Sequence, residues 1–235
     1  MAWAYLVHLS RQMSASMEYD RQMAAMGMAM DKPWTVADAL FTFAMWTVMM
    51  IGMMAVTATP MLLLFARTRS GQGERTSLVL MFGLGYLALW TGFSAFATLA
   101  QWALHQAAML SPAMKMSSPR LAGAILLAAG VYQLTPWKGR CLAHCRSPLG
   151  FLMTSWRDGK SGAVRMGLGH GAYCLGCCWA LMCVLFAVGI MNLAWVAMLT
   201  VLVLLEKIGP AGRVLARIAG AGMIGGGIFL IAAMA

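Results

Sequence analysis

Six apolar runs constrain this chain more than any other feature: about 37–65, 77–105, 120–137, 164–188, 193–206 and 214–234. Each is close to the ~20 residues that a helix needs to cross a bilayer, the fifth being the shortest. A soluble core has no room for six such runs in 235 residues, of which 61% are hydrophobic and only 10% charged. The apolar residues run on without alternating, which favours helices over a barrel. The expected fold is all-α: a polytopic transmembrane helical bundle of about six spans, one domain over 37–235, preceded by a more polar segment, 1–36. Glycine pairs such as Gly83 and Gly85, and the series from Gly220 to Gly227, read as places where small residues let helices pack closely.

The formal charge of +10 has meaning only by position. Twelve of the seventeen Lys and Arg fall between runs on one side: Arg67, Arg69 and Arg75; Lys138, Arg140, Arg146, Arg157, Lys160 and Arg165; Lys207, Arg213 and Arg217. The positive-inside rule makes that side cytoplasmic and puts 1–36 and the carboxyl terminus outside, as expected of a protein of the bacterial inner membrane. No basic patch is interleaved with aromatic residues, so nucleic acid is set aside as a partner. The lipid bilayer takes its place. The opening MAWAYLVHLS has too short an apolar part for a signal peptide or a span, although AWAYLV suits the tail of a longer one.

One run carries chemistry. HGAYCLGCCW (170–179) puts His170, Cys174, Cys177 and Cys178 into ten residues. At 100° per residue, with His170 at zero, the cysteines fall at about 40°, −20° and 80°, so all four share one face. Met166 and Met182 flank it at about −40° and 120°, and Gly176 admits a close neighbour. A lone cysteine in such a helix is a small hydrophobe, which is the reading for Cys183. Four potential ligands together are another matter, because a buried imidazole needs a partner and a metal would satisfy it with the thiolates. A second cluster, WKGRCLAHCRSP (137–148), holds Cys141, His144 and Cys145; a C-x3-C on a helix stacks its thiols one turn apart, about 6 Å at Cα. The third and fourth runs are antiparallel, so both clusters are expected to line one pocket near the cytoplasmic end.

Thiolate with imidazole suits Cu(I) or Zn(II), and the scarcity of acid in the runs, where Asp38 and Glu206 sit at ends, disfavours Mg, Ca or Mn. Twenty-four methionines turn the choice toward copper, since thioether is a soft ligand. Met45, Met49 and Met53 repeat at i, i+4, i+8, a pattern that core packing also produces. Met23, Met26, Met28 and Met30 crowd a segment beside Glu18, Asp20 and Asp31 that is too polar to be a span. Segment 13–30 is therefore expected to capture metal outside the membrane and to be dispensable for folding. Tyr132, Gln133, Thr135 and Pro136 read as a helix end with one side chain bonded to a neighbour.

MWTVMMIGMM, YLALWTGFSAFA (86–97), GVYQLTPWKGRCLAHCRSP, WRDGKSGAVRMGLGHGAYCLGCCWALM, GIMNLAWVAML and EKIGP occur here in the order seen in a known group. Over about residues 40 to 210 the chain resembles the bacterial predicted metal-binding integral membrane protein family, largely uncharacterised and sometimes called copper chaperone. The resemblance implies a helical membrane protein with a metal, and no established reaction. In that family a hydrophobic helix usually precedes a stretch like WAYLV, and here its bulk is lacking. Three function classes remain. The first is a Cu(I)-binding protein for copper trafficking, or for delivery to a membrane cuproenzyme as chaperone or accessory subunit. The second is a membrane thiol–disulfide oxidoreductase using Cys141 with Cys145, Cys177 with Cys178, or Cys174 with Cys177, the one C-x-x-C. The third is a structural subunit of a larger membrane complex. No hydrolytic acid–base pair stands out, which favours a binding role over an enzyme.

Overall fold

The computed structural model describes residues 34–68, 72–107, 109–110, 116, 118–190 and 192–233. The Met-rich stretch 13–30 and Arg69 lie outside the described residues, so the extracytoplasmic arm is an expectation from sequence alone. The described residues form eight helices: α1 (Val36–Arg67), α2 (Gln72–Gln106), α3 (Pro119–Leu134), α4 (Pro136–Arg146), α5 (Pro148–Ser155), α6 (Gly159–Val188), α7 (Leu193–Ile208) and α8 (Gly212–Ala232). Five of the six apolar runs centre on a single helix each, and the third, 120–137, is divided between α3 and the first residues of α4. Among the described residues, only α1, α2, α6 and α8 are long and apolar enough to cross a membrane. The expectation of about six spans is corrected accordingly: α3 and α7 have 16 residues each, about 24 Å, against roughly 30 Å of hydrocarbon. The chain is an all-helical, multi-pass membrane protein.

Local chemistry sets these ends. Thr35 caps α1: its Oγ1 accepts from the Asp38 N–H at 3.3 Å, while the Asp38 carboxylate accepts from the Thr35 N–H at 2.9 Å. Thr135 both ends α3 and begins α4, its Oγ1 accepting from the Lys138 N–H at 3.4 Å. Pro136 follows at the first position of α4, where a missing N–H costs nothing, and Pro148 does the same for α5. α6 stops at Gly189, whose φ of 106° is one that a side chain rarely tolerates.

α2 packs along α6, α3 along α8, and α1 along α2; α4 lies against α6 and also meets α7. Glycine makes two of these seams possible. A Cβ on Gly85 would collide with the Val164 carbonyl, and one on Gly167 with the Phe82 carbonyl, so α2 and α6 touch backbone to backbone. Between α3 and α8, a Cβ on Gly130 would lie 2.7 Å from the Gly220 carbonyl oxygen, and one on Gly227 2.7 Å from that of Gly123. Gly83, Gly222, Gly225 and Gly226 face open space instead. The largest core cluster runs from Met45, Met49, Met50, Met53 and Met54 of α1 to Cys174, Cys177, Cys178 and Met182 of α6. The methionine stripe of α1 is thus interior, with Met49 2% and Met53 0% exposed.

Candidate metal centre

α6 begins at Gly159, and the stretch GKSGAV that precedes the fourth apolar run is helical. His170 is therefore about three turns from the start of α6, and Cys177 about five. The cysteines lie deeper along the helix than a site at its first turns would, which is where the sequence places it. Cys174, Cys177 and Cys178 are all buried, and the thiols of Cys177 and Cys178 both donate to the Cys174 carbonyl, at 3.1 and 2.9 Å. Such back-bonding satisfies thiols that lipid or core cannot.

α4 brings the second cluster to this face. Cys145 Sγ lies 3.9 Å from Cys177 Sγ. Cys141 seats its sulfur over Gly176, where a Cβ would come within 2.8 Å of it, and the Tyr132 hydroxyl donates to the Gly176 carbonyl. The Cys145 thiol is held well above the ordinary cysteine range, first by its contact with Cys177 and then by burial. Burial, and then its electrostatic coupling to Cys177, push Cys141 up as well. Both thiols of α4 keep their protons until something displaces them.

The histidines are placed otherwise. His144 is exposed and stacks flat on Tyr173, ring centroids 4.2 Å apart, with Nδ1 3.0 Å from the Arg140 carbonyl oxygen. His170 is buried among the rings of Phe82, Tyr86 and Phe151, and its Nδ1 has no hydrogen-bond partner. Among the described residues no three His, Cys, Asp or Glu side chains converge as a metal ion needs. The structure brings together Cys145 and Cys177, with Cys141, Cys174 and Cys178 close behind on the same two helices.

Sequence reasoning missed the charged groups around the sulfurs. Lys207, which by sequence stands between apolar runs like a loop residue, is 7% exposed. Its Nζ donates to Cys174 Sγ at 2.9 Å and to Thr57 Oγ1 at 3.2 Å. The Tyr86 hydroxyl lies 3.0 Å from the same sulfur and 3.3 Å from the Met54 carbonyl oxygen. Lys138, placed the same way by sequence, is 1% exposed and pairs with Glu206 at 2.6 Å, while Gln133 donates to the other Glu206 oxygen at 3.0 Å. Arg146 closes the end of α7, donating from Nη1 to the carbonyls of Glu206 and Gly209 at 2.6 and 2.7 Å. One signal was available: EK at the end of the fifth apolar run puts two charges where lipid tolerates none, which points them inward.

A soft-donor face inside a helical membrane bundle agrees with what comparison finds. A family model described as "Copper chaperone" matches residues 43–230. The chain belongs to this family. The match takes in both cysteine clusters and every helix from the body of α1 to α8. Neither the curated proteins nor the solved structures compared with it give a match. The copper chaperone family name speaks of copper association; the residues that would hold copper in this chain are read from its own geometry.

Proposed function

We propose that this copper chaperone family member holds Cu(I) between Cys145 of α4 and Cys177 of α6, and passes it to a membrane cuproenzyme or to another copper protein. The observation that carries the reading is the 3.9 Å between the two sulfurs. Two metal–sulfur bonds of about 2.3 Å put their sulfurs about 3.8 Å apart at a tetrahedral angle and about 4.6 Å apart in line. Thiolates are soft, and Cu(I) accepts low coordination without strict geometry, so a pair suffices where Zn(II) asks for four ligands. Cys141, Cys174 and Cys178 are the neighbouring thiols to which the ion moves on during transfer, and Zn(II) is the competing ion. His170, with an unpartnered nitrogen one turn before Cys174, is a further donor reached by rotation of its ring. His144, exposed, is a donor at the point of entry or hand-over.

In this reading the protein sits in the bacterial inner membrane with its basic loops in the cytoplasm. The extracytoplasmic arm with Met23, Met26, Met28 and Met30 collects copper before it reaches the bundle. The same 3.9 Å separation favours one second reading, a dithiol–disulfide pair between Cys145 and Cys177.

Metal content separates the two. Purified under reducing conditions and loaded with Cu(I), the protein is expected to retain about one equivalent, which Cys145→Ser and Cys177→Ser each reduce by at least about tenfold in affinity. Cys183→Ser, a change outside the site, leaves it intact. A protein that holds no copper yet shows a Cys145–Cys177 disulfide by mass spectrometry after aerobic purification overturns the copper reading in favour of the redox one.

A further inference from the structure

The buried cations of the bundle are not alike. Lys138 is neutralised by Glu206. Arg146 spends its guanidinium on carbonyls at the end of α7 and is partly exposed. Lys207 touches a hydroxyl and a sulfur, Thr57 Oγ1 and Cys174 Sγ, while its sequence neighbour Glu206 is committed to Lys138 and Gln133. An ammonium buried in a low-dielectric interior without an acidic partner is costly. It is sustained when the groups around it carry one compensating negative charge.

We infer that Lys207 sets the charge of the ion the thiol site accepts, selecting a monovalent soft metal over a divalent one. This rests on the reading of Cys145 and Cys177 as the binding pair. Two thiolates and a monovalent ion carry one net negative charge, which the ammonium balances. Two thiolates and a divalent ion are neutral, and leave the ammonium unbalanced. A divalent ion would need a third thiolate, and among the described residues no three such donors converge. Geometry supplies a pair, and the fixed positive charge makes that pair fit a monovalent ion. The ammonium sits against the same sulfur-bearing turn of α6 as the pair. It lies 2.9 Å from Cys174 Sγ, and the Cys174 carbonyl receives the thiol of Cys177. In a low-dielectric interior a unit charge left uncompensated is costly, so the total charge of the loaded site matters to its affinity.

The test compares Ag(I), a monovalent probe that does not change oxidation state, with Zn(II) on the full chain in detergent micelles. Wild type, Lys207→Met, Lys207→Arg and Thr57→Asp are compared, the last placing a carboxylate against the ammonium while leaving it in the fold. Lys207→Met and Thr57→Asp should each weaken Ag(I) by about tenfold or more and leave Zn(II) unchanged or tighter, while Lys207→Arg keeps the wild-type ratio. Equal losses for both ions, an unchanged ratio, or a Lys207→Arg variant that behaves like Lys207→Met would overturn the inference and leave the binding pair standing. A wild-type protein that binds neither ion overturns the pair itself, and the inference with it.

Discussion

Glu206 shows how one side chain in this bundle holds several others. Its two oxygens receive Lys138 and Gln133, its carbonyl receives Arg146, and it is 1% exposed. Glu206→Gln keeps the shape but strips Lys138 of its counter-charge. A buried charge left alone costs about 3–5 kcal/mol, so the variant should melt well below wild type and aggregate in detergent. The double variant Lys138→Met with Glu206→Leu removes both charges and should recover much of that loss, since apolar pairs of similar volume often replace a buried ion pair without penalty. Thermal unfolding of the single and double variants reads the difference, and a single variant as stable as wild type would remove Glu206 from this role. The sequence could not announce this. It showed that Lys138 and Lys207 are basic and stand between apolar runs, and the positive-inside rule places such residues at a surface. Burial was decided by α4 folding back onto α6 and α7, a tertiary event. The face shared by His170, Cys174, Cys177 and Cys178 was legible because helical periodicity alone fixes it. That the His170 ring turns among Phe82, Tyr86 and Phe151 was not, because those rings come from two other helices.

Helices meet here through missing side chains as much as through present ones. Gly167 of α6 lies against the Phe82 carbonyl of α2, and Gly85 of α2 against the Val164 carbonyl of α6. Without hydrophobic drive between helices in lipid, such close backbone contact supplies the packing that holds them together. Gly167→Ala has no space for its methyl and should destabilise the bundle by about 1–3 kcal/mol. Gly83→Ala, two residues before Gly85 but facing open space, should be neutral or slightly stabilising, because alanine is the better helix former. Unfolding of both variants in mixed micelles, followed by helical circular dichroism, checks the contrast; two equal effects would mean that the seam is not tight. At this scale the six apolar runs were readable as helices, while the lengths of α3 and α7 were not. Pro136 and Thr135 turn the third run into two helices, because a threonine and proline that end one helix are also suited to cap and start the next. α4, with a mixed composition that hydropathy reads as loop, is the helix that carries Cys141 and Cys145.

Taken whole, the molecule keeps its exposed positive charge apart from its buried charge. Arg67, Arg75, Arg140, Arg157, Lys160, Arg165, Arg213 and Arg217 are exposed, whereas Lys138 and Lys207 are inside. The orienting signal therefore survives the loss of two of its members, and by it the start of α6 is expected in the cytoplasm. α6 has 30 residues, about 45 Å, which is more than a bilayer core, so its two ends must face opposite compartments. Ser161 in its first turn and Asn192 just beyond its end are both exposed. Cysteines introduced at these two positions should respond oppositely to a membrane-impermeant maleimide: Asn192→Cys labelled in intact cells, Ser161→Cys only in inverted vesicles. The native thiols, counted in wild type treated the same way, set the background. Labelling of Ser161→Cys from outside would reverse the orientation. It would also turn round the route of the cargo, because the Cys145–Cys177 pair is about 27 Å from the start of α6 and about 17 Å from its end. On the expected orientation the thiols lie nearer the extracytoplasmic end of the helix, within shorter reach of copper arriving from that side.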